Sequence, residues 1–68
     1  LSVRERMSSI LLILNNNDNV EFENFFKFDE GRLGVIVTFL AILELVKESL
    51  VDVMQNQSLS KIYISLKK

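Results

Sequence analysis

The side chains able to do acid-base chemistry are carboxylates in two groups, Glu21, Glu23, Asp29 and Glu30, then Glu44, Glu48 and Asp52. General acid-base catalysis wants titratable groups gathered so that they perturb one another. The spacing here pairs none of them convincingly, and solubilising charge is their expected role. The 68 residues contain no histidine and no cysteine, which removes the imidazole base, the thiolate nucleophile, the Cys or His zinc site and the disulfide. No lysine stands in a phosphate-binding glycine loop. The sequence therefore reads as a non-enzyme without cofactor or metal.

Three further patterns touch on binding chemistry. Phe22, Phe25, Phe26 and Phe28 crowd seven residues, a density that could stack single-stranded bases. No basic groove accompanies the rings, so a core role is expected, in which aromatics supply the buried area a small domain needs. Gly31 and Gly34 form a GxxG of the kind that clamps nucleic-acid backbone in KH domains. The strands of such a sheet are incomplete, and the plainer role is a turn glycine plus one that permits close packing. Arg4 and Arg6 flank Glu5 and read as a solvated face.

The element that must organise the chain is Leu33 to Val46, LGVIVTFLAILELV, where eleven of fourteen residues are apolar and only Glu44 is charged. On a helix it has two apolar sides, with Val35, Ile42, Leu45 and Val46 on one arc and Ile36, Phe39, Leu40 and Leu43 on the other. A surface helix ordinarily shows one stripe and a charged back. A chain of this length buries only about 60% of its unfolded surface, so it covers one side, and the other wants a partner. Composition agrees with a small folded domain: 49% apolar, 25% charged, net charge −1. With little core and no crosslink, the isolated domain should be modestly stable and weakly self-associating. The longest uncharged run, Leu33 to Leu43, falls short of the roughly 18 to 20 residues that cross a bilayer. No signal-peptide pattern precedes it, and a start at Leu1 without methionine points to a domain of a longer protein.

In chain order, Ser2 with Glu5 forms a capping box ahead of Met7, Ile10, Leu11 and Leu14, predicting a helix from about Val3 to Leu14. Asn15 to Asn19 should be a loop. Val20 to Phe22 is a strand fragment, Glu23 to Lys27 a short helical turn with Phe22 and Phe26 on one face and Phe25 and Phe28 close by. Asp29 to Arg32 breaks that turn and places acids before the long helix, which ends near Glu48 and Ser49. Val51 and Val53, then Ile62, Ile64 and Leu66, alternate as half-buried strands around a hairpin loop at Asn56 to Ser60. The expected fold is α+β, a winged helix-turn-helix of three helices with a small antiparallel sheet and a C-terminal hairpin wing, over residues 1–68 as a single domain.

A generic winged helix would put its long third element into the DNA major groove. The usual exit of such helices, a small residue followed by two apolar ones, matches Ser49-Leu50-Val51. Counting back turns Thr38, Ile42 and Leu45 inward and Ile36, Phe39, Leu40 and Leu43 outward. Large apolar side chains do not read base edges; they anchor protein interfaces. The eight basic residues are scattered along the chain, without the concentrated footprint that phosphate binding requires. A DNA-binding regulator and a self-associating structural domain are the competing readings.

The block Val37-Thr38-Phe39-Leu40-Ala41-Ile42-Leu43-Glu44-Leu45-Val46, then Leu50-Val51 and Gln55, with Val3-Arg4-Glu5-Arg6-Met7 upstream, resembles the C-terminal winged-helix domain of bacterial segregation and condensation protein A, a kleisin. The resemblance covers essentially the whole chain. It implies a cytoplasmic, nucleoid-associated subunit of the SMC condensin complex. In that family this domain docks on the ATPase head of one SMC protomer while the kleisin N-terminal region contacts the other, closing a ring that organises the chromosome. The outward helix face, Ile36, Phe39, Leu40 and Leu43, and Gln55 of the wing strand are similar to the head-contacting positions. A kleisin-associated subunit would bind elsewhere on the longer chain. After the glutamine the family tends toward an aromatic and a Gly-acidic pair, where this chain has Leu59, Ser60 and Lys61.

Overall fold

The computed structural model describes residues 2–56 and 61–67. Helix α1 spans Val3–Asn15, and Ser2 caps it by accepting the Glu5 amide on its hydroxyl at 3.4 Å. The asparagines that follow close its far end. Asn16 Nδ2 donates to the Leu12 carbonyl at 3.2 Å and Asn17 Nδ2 to that of Ile13 at 2.9 Å, filling acceptors a helix terminus otherwise leaves to water. The loop expected here is thus also the C-terminal cap.

Strand β1 is Val20–Glu21. The short helix expected over Glu23 to Lys27 is replaced by two 3-10 turns, Phe22–Phe25 and Phe28–Glu30, with Phe26 and Lys27 extended between them. So short a segment cannot repay helix nucleation, and packing sets its path instead. Phe25 is buried, and the Phe22 and Phe26 rings meet at 4.9 Å between centroids, tilted by 59°. The described residues therefore contain two α-helices rather than three. Phe28, expected beside the other rings, is 78% exposed, because the chain turns away to start the next helix.

Helix α2, Gly31–Lys47, begins at a glycine with φ +74°. It ends in a Schellman motif: Leu50 N–H donates to the Leu45 carbonyl and Ser49 N–H to that of Val46, both at 3.0 Å, with Ser49 left-handed at φ 60°. That turn throws the chain into β2, Val51–Asn56, which pairs antiparallel with β3, Lys61–Leu66. The sheet order is β1-β3-β2, with Val20 opposite Ile64 and Val53 opposite Ile64 on its other side. The hairpin loop expected at Asn56 to Ser60 differs in that Asn56 closes β2; residues 57–60, including Leu59 and Ser60 of the wing tip, lie outside the described residues.

The core is Ile10 and Leu14 of α1, Phe25, Ala41, Ile42 and Leu45 of α2, Val51 and Ile64. Thr38 is fully buried among them. Two alternations break at the edge of this core. Val51 is buried while Val53, on the same side of the strand, is 49% exposed although its cross-strand partner Ile64 is fully buried, because β2 is the edge of the sheet and β3 its centre. Val46, expected on the inner arc of α2, is 40% exposed, and Val37 and Ala41 fill the inner side instead. Val46 lies seven residues from Phe39, almost two full turns, and so shares the outer side.

Candidate protein-docking site

The inner side of α2 is bounded by Thr38, Ile42 and Leu45, each 4% exposed or less. Across the helix, Ile36, Phe39, Leu40 and Leu43 are each between 45% and 48% exposed. These four form one apolar face, extended by Val46. A half-exposed apolar side chain has a packed base and a wet tip, the state of an anchor awaiting a pocket. Gln55 is on a different element, exposed on β2 opposite Ile62.

Beside Phe39 the face drops into a groove of about 350 Å³ lined by Phe22, Glu23, Phe26, Phe28, Val35 and Phe39. It is built by the 3-10 turns folding over the first half of α2. The sequence did not mark it, because the phenylalanine cluster reads as core. The signal available was the acidic and glycine break directly after Phe28, which forces that ring to the rim.

Among the described residues three ion pairs tie basic side chains to carboxylates. Arg6, expected to be solvated, has a side chain only 12% exposed and grips both oxygens of Glu30, at 2.6 and 2.7 Å. Both bonds leave the single nitrogen Nη2, which donates to the two carboxylate oxygens in a charge-assisted contact. It holds the Glu30 carboxyl below its ordinary value, chiefly through the hydrogen bond from Arg6. Glu30 is thus a clamp between the start of α2 and α1 rather than a solubilising charge. Its neighbour Gly34 is buried, and a Cβ there would collide with the Cβ of Glu30 and come within 2.9 Å of its Oε1, so this glycine permits close packing as expected. Lys61 lies 3.6 Å from Glu21 and Lys67 3.7 Å from Asp52. At the other end of α2, a hydrogen bond with Glu44 pushes the Glu48 carboxyl up.

Among the described residues no helix is long and apolar enough to cross a membrane, and no group of three or more acidic, His or Cys residues could hold a metal ion. What the arrangement can do is bind apolar surface.

Residues 1–67 match the family model described as segregation and condensation protein ScpA. A segregation and condensation protein A of Xylella fastidiosa (strain 9a5c) is 55% identical over 64 residues, covering 94% of this chain and 21% of the relative. The protein of that name from Coxiella burnetii is 40% identical over 67 residues, covering 98% and 25%. One from Listeria monocytogenes (serotype 4b, strain F2365) is 38% identical over 66 residues, covering 94% and 26%. The chain spans about a quarter or less of the length of these curated relatives. With nearly every residue matched, this α+β chain with its uncovered helix face belongs to the segregation and condensation protein ScpA family.

Proposed function

We propose that the chain is the winged-helix module of a kleisin subunit and docks on the ATPase head of an SMC protein. Ile36, Phe39, Leu40 and Leu43 of α2 are the anchors, and Gln55 on β2 is a polar contact. In this reading the middle helix of the winged helix-turn-helix has contracted to 3-10 turns, and residues 1–68 are a single domain, the C-terminal one of a longer chain. The module is non-enzymatic and acts in chromosome condensation and segregation at the nucleoid, in the cytoplasm. The kleisin-associated subunit engages other parts of the longer chain.

The observation that supports docking through this face is the half-exposure of four large apolar side chains along one side of α2, directly opposite the core. DNA binding by the same face would place those side chains against base edges, where they offer no hydrogen bonds. A titration with purified SMC head tests the proposal. The wild type should bind, and Phe39→Arg or Leu43→Arg should each lose about 2 kcal/mol or more, since a charge would enter a desolvated pocket. Gln55→Ala should weaken binding mildly. Wild-type affinity in both arginine variants, or submicromolar DNA binding with a steep salt slope, would overturn it.

A further inference from the structure

Strand β2 is the edge of the sheet, and among the described residues nothing pairs with its outer side. Which of its backbone groups face outward follows from one bond. Lys67 N–H donates to the Leu50 carbonyl at 3.0 Å, making Leu50 and Lys67 a bonded pair in the register that runs through Asp52↔Ser65 and Met54↔Tyr63. Bonded and non-bonded pairs alternate along an antiparallel ladder. The amides and carbonyls of Asp52 and Met54 therefore face β3, and those of Val51, Val53 and Gln55 face away. Val51 is buried against the core, leaving Val53 and Gln55 as the open groups.

Natural sheets guard such edges with lysine, proline, bulges or brevity. Val51–Asn56 is six residues long and contains neither lysine nor proline. It also exposes apolar side chains on both faces, Val53 at 49% and Met54 at 47%.

We infer that this edge pairs with the same edge of a second copy of the chain, antiparallel about a two-fold axis at Met54. An outward residue bonds only to an outward residue, and with Val51 out of reach the matching register sets Val53 opposite Gln55 of the second copy, and the reverse. Each then donates and accepts across the axis. Met54 meets its own copy, an apolar cross-strand pair. The strand's single charge, Asp52, falls opposite Asn56 of the second copy and never faces another Asp52. The surface is self-complementary, as a two-fold interface must be, and the sheet continues through both copies.

The test is sedimentation equilibrium of the chain from micromolar to millimolar concentration, with amide exchange followed by NMR. A monomer-dimer equilibrium is expected, with protection at the Val53 and Gln55 amides rising with concentration while Met54 is protected throughout. Val53→Pro removes an outward N–H without touching the β2 and β3 ladder. It should weaken the dimer roughly thirtyfold, the loss of one amide-carbonyl bond per copy. Met54→Lys and Met54→Glu should each dimerise poorly alone, and an equimolar mixture should recover the dimer. If Val53→Pro fails to melt cooperatively, the Met54 pair decides. A chain monomeric to millimolar concentration, or a dimer lost in Phe39→Arg but kept in Met54→Lys, would overturn the inference.

Discussion

Charging the two sides of α2 should produce opposite results, and the burial of each residue sets the size of the effect. Leu45 is fully buried. Leu45→Asp deletes a core side chain, about 2 to 5 kcal/mol by truncation alone, and forces a carboxylate into an apolar site at the cost of several more. A domain of 68 residues has a total stability on the order of 3 to 10 kcal/mol, so this variant should be unfolded at neutral pH. Ile42→Asp should behave alike, its side chain being 4% exposed. Phe39 is already 46% exposed, so its burial contributes about half of the roughly 1.5 to 3 kcal/mol a fully buried ring supplies. An arginine stem keeps part of that contact. Phe39→Arg should therefore cost about 1 kcal/mol, a fall of about 4 to 8 °C in Tm for a domain this small, with the transition still cooperative. Leu43→Arg, at 48% exposure, should match it. Thermal melts followed by circular dichroism decide. Collapse of Phe39→Arg alongside a wild-type melt for Leu45→Asp would refute the orientation of α2 and the docking face with it.

Gly34→Ala should lower stability even though alanine is favoured over glycine by about 1 kcal/mol in a helix interior, because the new Cβ displaces Glu30 and loosens its grip on Arg6; a higher Tm would refute the clamp. Ser49→Gly should raise stability by about 0.5 to 1 kcal/mol in chemical denaturation, since a left-handed residue is strained with a Cβ and relaxed without one. Glu30 is held below its ordinary value of 4.5, so the folded state favours its charged form. That contribution is complete above the ordinary value and is lost as pH falls through the lowered one. Denaturant midpoints of Glu30→Gln and wild type should thus converge on acidification below about pH 4.5, and a constant gap would argue against the pairing.

The local elements were legible in the sequence because local chemistry decides them. Ser2 with Glu5 starts α1, the asparagine run ends it, and the apolar content of Leu33 to Val46 demands a helix. The two sides of α2 were legible as well, since a small residue before two apolar ones at Ser49-Leu50-Val51 sets the phase of every residue upstream. Tertiary structure decided what depended on distant neighbours. The segment from Phe22 to Glu30 is too short to hold a helix by its own propensity, so the core took Phe25 and left Phe28 at the rim, creating a groove that no local pattern announces. Arg6 and Glu30 are 24 residues apart, and only the packing of α1 against the start of α2 brings them together. Val53 follows the alternation of its strand yet is left in water, because periodicity states which side a residue faces while its place on the sheet edge leaves nothing to cover it.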